Sequence, residues 1–117
     1  MWTMDSAGNI EIPISDTLDL LLTDILINGV VANWANFSEV EFIVKVAASK
    51  DATILFSAKR TTGEIDCTVN GQLLIKKHLP SVSALIENTI YNYDLRFTST
   101  SGVVTTWLNN KKFKVIS

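Results

Sequence analysis

Apolar and polar residues alternate with a period of two along nearly the whole chain, the signature of strands that bury one face. Ile10, Ile12 and Ile14 alternate with Glu11 and Pro13 and predict a first strand over 9–14. Pro13 has no N–H to give to a ladder, which suits an edge or a strand end. Leu18, Leu20 and Leu22 alternate with Asp19 and Leu21; they predict a strand from 18 that runs as far as Ile27, closed by the turn signal Asn28-Gly29. A short extended piece at 30–34 precedes the clearest strand, 39–48. There Val40, Phe42, Val44 and Val46 share one face and Glu39, Glu41, Ile43 and Lys45 the other. A turn at 49–51 leads into 52–58, with Ile54 and Phe56 inward, then a loop at 59–63 and a strand at 64–69. Asn70-Gly71, flanked by alternating apolar residues, predicts a type I′ hairpin into a strand at 72–76. Pro80 suits a first helical position, and Val82, Leu85 and Ile86 are spaced for one face, so 80–87 reads as one short helical turn. In 90–98, Tyr91, Tyr93, Leu95 and Phe97 oppose Asn92, Asp94 and Arg96. A turn at 99–102 leads into 103–108, and Asn109-Asn110 turns again into a last strand, 111–116, with Phe113 and Val115 inward.

About eight short strands with turn signals every 8–12 residues specify an all-β domain. Strands with one apolar and one polar face favour an antiparallel β-sandwich. The 117 residues suffice for one domain, 1–117, and a hydrophobic content of 47% against 19% charged residues excludes a disordered chain.

Chemistry is narrowed by what the chain lacks. Cys67 is the single cysteine, so no intrachain disulfide forms, and its place on the apolar side of 65–69 predicts a buried structural thiol. One cysteine and one histidine, His78, cannot build a thiolate–imidazole metal cage. No phosphate loop, dinucleotide fingerprint or nucleophile elbow is present. The expectation is a protein without catalytic, cofactor or metal residues. The first residues lack a basic region and apolar run of the signal-peptide type. The apolar stretch 18–31 is cut by Asp19, Thr23, Asp24 and Asn28, so no membrane span is expected. Without an export signal, the acceptor triplet Asn36-Phe37-Ser38 carries no weight.

Charge is divided along the chain. Residues 1–44 hold Asp5, Glu11, Asp16, Asp19, Asp24, Glu39 and Glu41 and no Lys or Arg, whereas all 10 basic residues follow, against five acids. Early and late strands pair and neutralise each other within one subunit, or acidic and basic faces meet between subunits. On the second alternative the assembly surface comprises Asp16, Asp19 and Asp24 on an early edge strand and Lys111, Lys112 and Lys114 on a final edge strand, with Trp34 supplying apolar affinity. The net charge of −2, with core-bound aromatics beside the lysines, speaks against nucleic acid as a partner.

The last third carries a resemblance. Tyr91-Asn92-Tyr93-Asp94-Leu95-Arg96-Phe97, the turn Ser101-Gly102, the strand Val103-Val104-Thr105-Thr106-Trp107-Leu108 and the ending Phe113-Lys114-Val115-Ile116 are similar to the end of small Ig-like domains of tailed-phage and prophage structural genes. Those resemble the N-terminal domain of phage baseplate upper proteins. Earlier parts fit more loosely: the Ile-x-Ile strand, the Asn-Gly turn before Val30 and Val31, the Val-x-Phe-x-Val-x-Val strand, and Pro80-Ser81-Val82-Ser83-Ala84-Leu85. Asn109-Asn110 departs from the family, which has Gly before the last strand, and a threonine-arginine ending is missing. The resemblance implies an Ig-like sandwich that serves as a structural component of a virion tail, baseplate or tail-fibre attachment region. It would be made in the bacterial host cytoplasm and partnered by other tail or baseplate proteins, as a homo-oligomer or on such a partner, and no catalytic residues come with the family. Two alternatives stay open: a carbohydrate-binding module stacking Trp2, Trp34 or Trp107 on sugar rings, and an adaptor that binds a host protein.

Overall fold

A computed structural model describes residues 2–49 and 51–117. The described residues form eleven strands: β1 (Thr3–Met4), β2 (Ile10–Pro13), β3 (Thr17–Leu22), β4 (Leu26–Ile27), β5 (Val30–Val31), β6 (Phe37–Lys45), β7 (Ile54–Lys59), β8 (Ile65–Asp66), β9 (Leu73–His78), β10 (Thr89–Ser99) and β11 (Val104–Ile116). The described residues hold no α-helix, only 3-10 turns at Trp34–Asn36 and Leu79–Ser81. The first sheet has the order β1-β2-β11-β10-β6-β7, the second β3-β9-β8, and β4-β5 is a separate hairpin.

The fold is therefore all-β, and its two sheets pack as a sandwich. Leu18, Leu20, Ile65, Leu73 and Ile75 of the smaller sheet share one core with Ile10, Ile12, Val40, Phe42, Val44, Tyr93, Leu95, Phe97, Phe113 and Val115 of the larger. The order matches an immunoglobulin-type Greek key: β3-β9-β8 stand where B, E and D stand, and β7-β6-β10-β11 where C′, C, F and G stand. Where antibody domains set a disulfide against a tryptophan, this chain sets Tyr93 against Phe42, ring centroids 4.9 Å apart. Tyr91, two residues earlier, accepts the N–H of Ile86 at 3.0 Å on its hydroxyl, a local tie like a tyrosine corner.

Several expectations are corrected. The sandwich is not purely antiparallel, because β2 runs parallel to β11. The early strand ends at Leu22 rather than Ile27: Asp24 takes a positive φ of 55° and breaks it from β4. The type I′ hairpin forms at Asn28-Gly29, where both residues have positive φ (53° and 78°), and joins β4 directly to β5. At Asn70-Gly71 only Gly71 has positive φ, and β8 stops at Asp66, because the 67–72 loop bonds to other loops instead. Of the helical turn at 80–87, only the 3-10 turn at Leu79–Ser81 forms, and Ile86 is exposed. Val46 and Ile54, expected inside, are 45% and 54% exposed, since the β6–β7 register slips after Val44. The expected turn at 49–51 includes Lys50, which lies outside the described residues.

The largest correction concerns β11. Asn109-Asn110 is no turn, and β11 continues through it as one strand of 13 residues. Tyr93 faces Lys111 but Leu95 faces Leu108, so two residues of β11 oppose Asp94 alone, a β-bulge with Asn110 at φ 50°. A second slip follows at Trp107.

Trp34 ties this frame together. It is 1% exposed, and its Nε1–H donates to the carbonyls of Val69 (3.0 Å) and Gln72 (2.9 Å). Its ring meets Phe97 edge-on at 5.2 Å. Trp34→Phe keeps most of the apolar burial but leaves both carbonyls without this donor, a loss of about 2 kcal/mol. Urea denaturation should show that loss, and hydrogen exchange should show faster exchange confined first to residues 67–72; an unchanged midpoint contradicts this role.

Candidate functional site

The residues proposed for an assembly surface do not form one patch. Lys112 and Lys114 flank the inward Phe113 and so project from the outer face of the larger sheet, while Asp19, between the inward Leu18 and Leu20, projects from the outer face of the smaller one. Asp16 lies in the turn before β3, its carbonyl accepting the Leu79 N–H, and Asp24 sits at the break after β3. β3 is an edge strand as expected, but β11 is interior, with β2 on one side and β10 on the other, so its lysines cannot take part in an edge-to-edge contact. Trp34 is buried and offers no surface to a partner.

Strand pairing interleaves the charge instead. Asp19 lies opposite Lys76, Glu11 beside Lys114, and Glu41 opposite Lys59 with 3.9 Å between charged atoms. Register thus sets acids of early strands beside bases of late ones within the subunit, Glu41–Lys59 being the one of these three pairs at ion-pair distance. Asp19 also accepts the indole N–H of Trp2.

A different surface emerges where three loops meet. The Ile25 N–H donates to Gly71 O, the Gly71 N–H to Ala32 O, and the Trp34 N–H to the Asn70 side chain, at 2.9, 2.8 and 3.2 Å. The β10–β11 turn joins through the Thr100 N–H on Asn36 O at 3.0 Å, and the Trp107 indole N–H reaches Leu26 O at 3.3 Å. Gly71, at φ +75°, is required here: a Cβ would stand 2.9 Å from Cγ1 of Val31. The segments that meet, 25–38, 67–75 and 97–110, contain no Asp, Glu, Lys or Arg. They nevertheless expose Leu26, Val30, Val31, Val69, Val103 and Val104, each by about half or more of its surface. A groove of about 520 Å³ runs between them, lined by Ile27, Val30, Val31, Asn33, Phe37 and Asn70 among others. The sequence signal was present as a run of exposed-type valines in charge-free loops, but only the fold shows that these loops converge.

On the outer face of the larger sheet lies a buried polar cluster that periodicity missed. Lys45 and Asp94 are 2% and 1% exposed and lie 2.9 Å apart. Asp94 also accepts from Arg96 at 2.9 Å and from the Asn110 backbone N–H at 2.8 Å, and Lys45 donates to Asn110 Oδ1 at 3.1 Å. Burial pushes the Asp94 carboxyl up, but the hydrogen bonds from Asn110, Lys45 and Arg96 outweigh it and hold it below the ordinary carboxylate value. Among the described residues no group of three His, Cys, Asp or Glu side chains is placed to hold a metal ion, and no helix is long and apolar enough to cross a membrane. No family model, curated protein or solved structure matches the chain.

Two titrations test this electrostatic picture. Cys67 is half-buried against the core, and burial pushes its thiol up to about 11. Thiol labelling of the folded protein at pH 8 should be at least about tenfold slower than in urea and should keep rising with pH past 9, since the thiolate is the reacting form; fast labelling at neutral pH contradicts this. At Glu64, burial raises the carboxyl, but the hydrogen bonds from Lys77 (2.6 Å) and Thr62 (2.7 Å) and the charge of Lys77 outweigh it and lower it from 4.5. A lowered folded value stabilises above the unfolded value and loses that stabilisation as pH falls through the folded one. The stability gap between the parent protein and Glu64→Gln should therefore be full at pH 7 and close below pH 4.5; a gap independent of pH refutes the pairing.

Proposed function

We propose that this chain is a non-enzymatic assembly module of a phage particle, acting in a tail, baseplate or tail-fibre attachment region through protein–protein contact at the loop end of its sandwich. The observation that carries the contact is the pair of exposed side chains Val30 and Val31 on the charge-free wall of a groove of about 520 Å³, with Leu26 and Val69 exposed on the same loop segments outside it. Such a surface is costly to leave in water, and it needs no charge to be desolvated when a partner covers it. Its loops are already fixed by backbone hydrogen bonds and by Trp34, so little ordering entropy opposes docking. The placement in a phage particle rests on the resemblance of the 91–116 segment.

This reading moves the contact away from the charged strands. Since register already sets those acids beside bases of the same subunit, association as a homo-oligomer or on a tail or baseplate partner is driven by apolar burial and depends little on salt. The carbohydrate alternative has fewer rings to offer: Trp34 is buried, the Trp107 ring stacks on Phe97 at 6.1 Å with its N–H directed to Leu26 O, and Trp2 gives its indole N–H to Asp19, which leaves only part of Trp2 and of Trp107 exposed.

Mass spectrometry of particles purified from the organism that encodes the chain should find it as a stoichiometric component, and its consistent absence from them would sink the phage assignment. Val30→Asp and Val69→Asp change exposed side chains, so the melting temperature should stay within a degree or two, while self-association or incorporation into particles weakens about tenfold or more. Association that survives both changes, or that falls steeply with salt, contradicts the loop-end contact.

A further inference from the structure

The Lys45–Asp94–Asn110 cluster brings a buried amine and a buried carboxylate against the carboxamide of Asn110, a residue that itself faces solvent. We propose that it is a self-modification site, at which Lys45 Nζ and Asn110 Cγ join in an intramolecular isopeptide bond with release of ammonia.

Three observations support it. First, Nζ lies 2.9 Å from Asp94 Oδ2 and donates to Asn110 Oδ1 at 3.1 Å, so the amine stands against the group that can take its proton and next to the carboxamide whose carbon it would attack. Second, the left-handed φ of 50° at Asn110 would be met by glycine at no steric cost, yet the chain places there a carboxamide aimed at a buried amine. Third, the charges do not balance. One oxygen, Asp94 Oδ2, serves both Lys45 and Arg96, so two cations share one carboxylate; Arg96 keeps 31% of its side chain in water, whereas Lys45 is 98% out of it. Bond formation removes that excess and leaves Asp94 paired with Arg96.

The step balances without a co-reactant. A proton passes from the Lys45 ammonium to the Asp94 carboxylate across their 2.9 Å contact; because the other partners of Asp94 favour its ionised form, this transfer is uphill and makes the reaction slow. The free amine attacks Asn110 Cγ, forming the C–N bond. A second proton from that nitrogen goes to the departing amide nitrogen, the old C–N bond breaks, and ammonia leaves. The proton on Asp94 follows it into solvent as ammonium, which restores the carboxylate. No group is oxidised or reduced. The bond would tie β6 to β11 across β10, which lies between them.

Intact mass spectrometry of the purified full chain tests this. The folded protein should weigh about 17 Da less than its sequence requires, the mass of ammonia. A protease digest should contain a branched peptide joining the Lys45 and Asn110 segments. Lys45→Met and Asp94→Asn should each retain their full calculated mass. The proposal is overturned if the folded protein keeps its full mass after prolonged incubation. It is equally overturned if the deficit persists in Lys45→Met, which would assign it to a succinimide at Asn28-Gly29 or Asn70-Gly71. Should either variant fail to fold, the branched peptide in the digest of the unaltered chain decides alone: present, it confirms the bond; absent, it refutes it.

Discussion

Strand β10 is paired along both of its edges, to β6 on one side and β11 on the other, and every other feature of the larger sheet is fixed relative to it. Its inward residues Tyr91, Tyr93, Leu95 and Phe97 are all buried. They hold the aromatic contacts that join Phe42, Trp34 and Trp107 to the core. A slip of one residue would turn this whole face to solvent, which is why the register admits no alternative. The same constraint acts on the outer face, where Asp94 is brought opposite two residues of β11 and accepts the Asn110 N–H that the bulge frees.

From this strand the two ends of the sandwich acquire different characters. Tyr93 reaches past the sheet to donate to Gly8 O, which locks the N-terminal segment beside β11. At the other end, Trp34 and Gly71 draw the 67–72 loop onto the β4–β5 hairpin and leave valines facing out. The connections bury Ile25, Ala32 and Trp34, but Val30, Val31 and Val69 stay exposed. Those that remain exposed are available to a partner.

Charge plays the opposite part. The sequence separates acids from bases and leaves open whether they meet within one subunit or between subunits, and the Greek key pairs early strands with late ones. β3 meets β9 and β2 meets β11, so Asp19 stands opposite Lys76 and Glu11 beside Lys114 in register, and Glu41 pairs with Lys59. Exposed pairs of this kind contribute only about 0–1 kcal/mol each. Their effect is to leave the sheet faces locally neutral, and the apolar loop end becomes the surface with the most to gain from being covered.

The sequence by itself determined the all-β class, the inward residues of β2, β3, β6 as far as Val44, and β10, and the final Phe113 and Val115. Each of these follows from a period of two against a single apolar core, a relation between neighbours along the chain. It could not determine where a strand bends or ends when the cause lies elsewhere in the fold. Asn109-Asn110 has the composition of a turn, but β10 pairs on both sides of it and makes it a bulge. Asn70-Gly71 has the composition of a hairpin, but Trp34 and Ala32 claim its backbone groups. Lys45 and Asp94 read as solvated polar positions, and only the bulge that brings Asn110 over them buries the pair. Tertiary structure decided these points because a buried hydrogen-bonding group must be satisfied by whatever lies nearest in space, and the partner here stands 16 to 65 residues away.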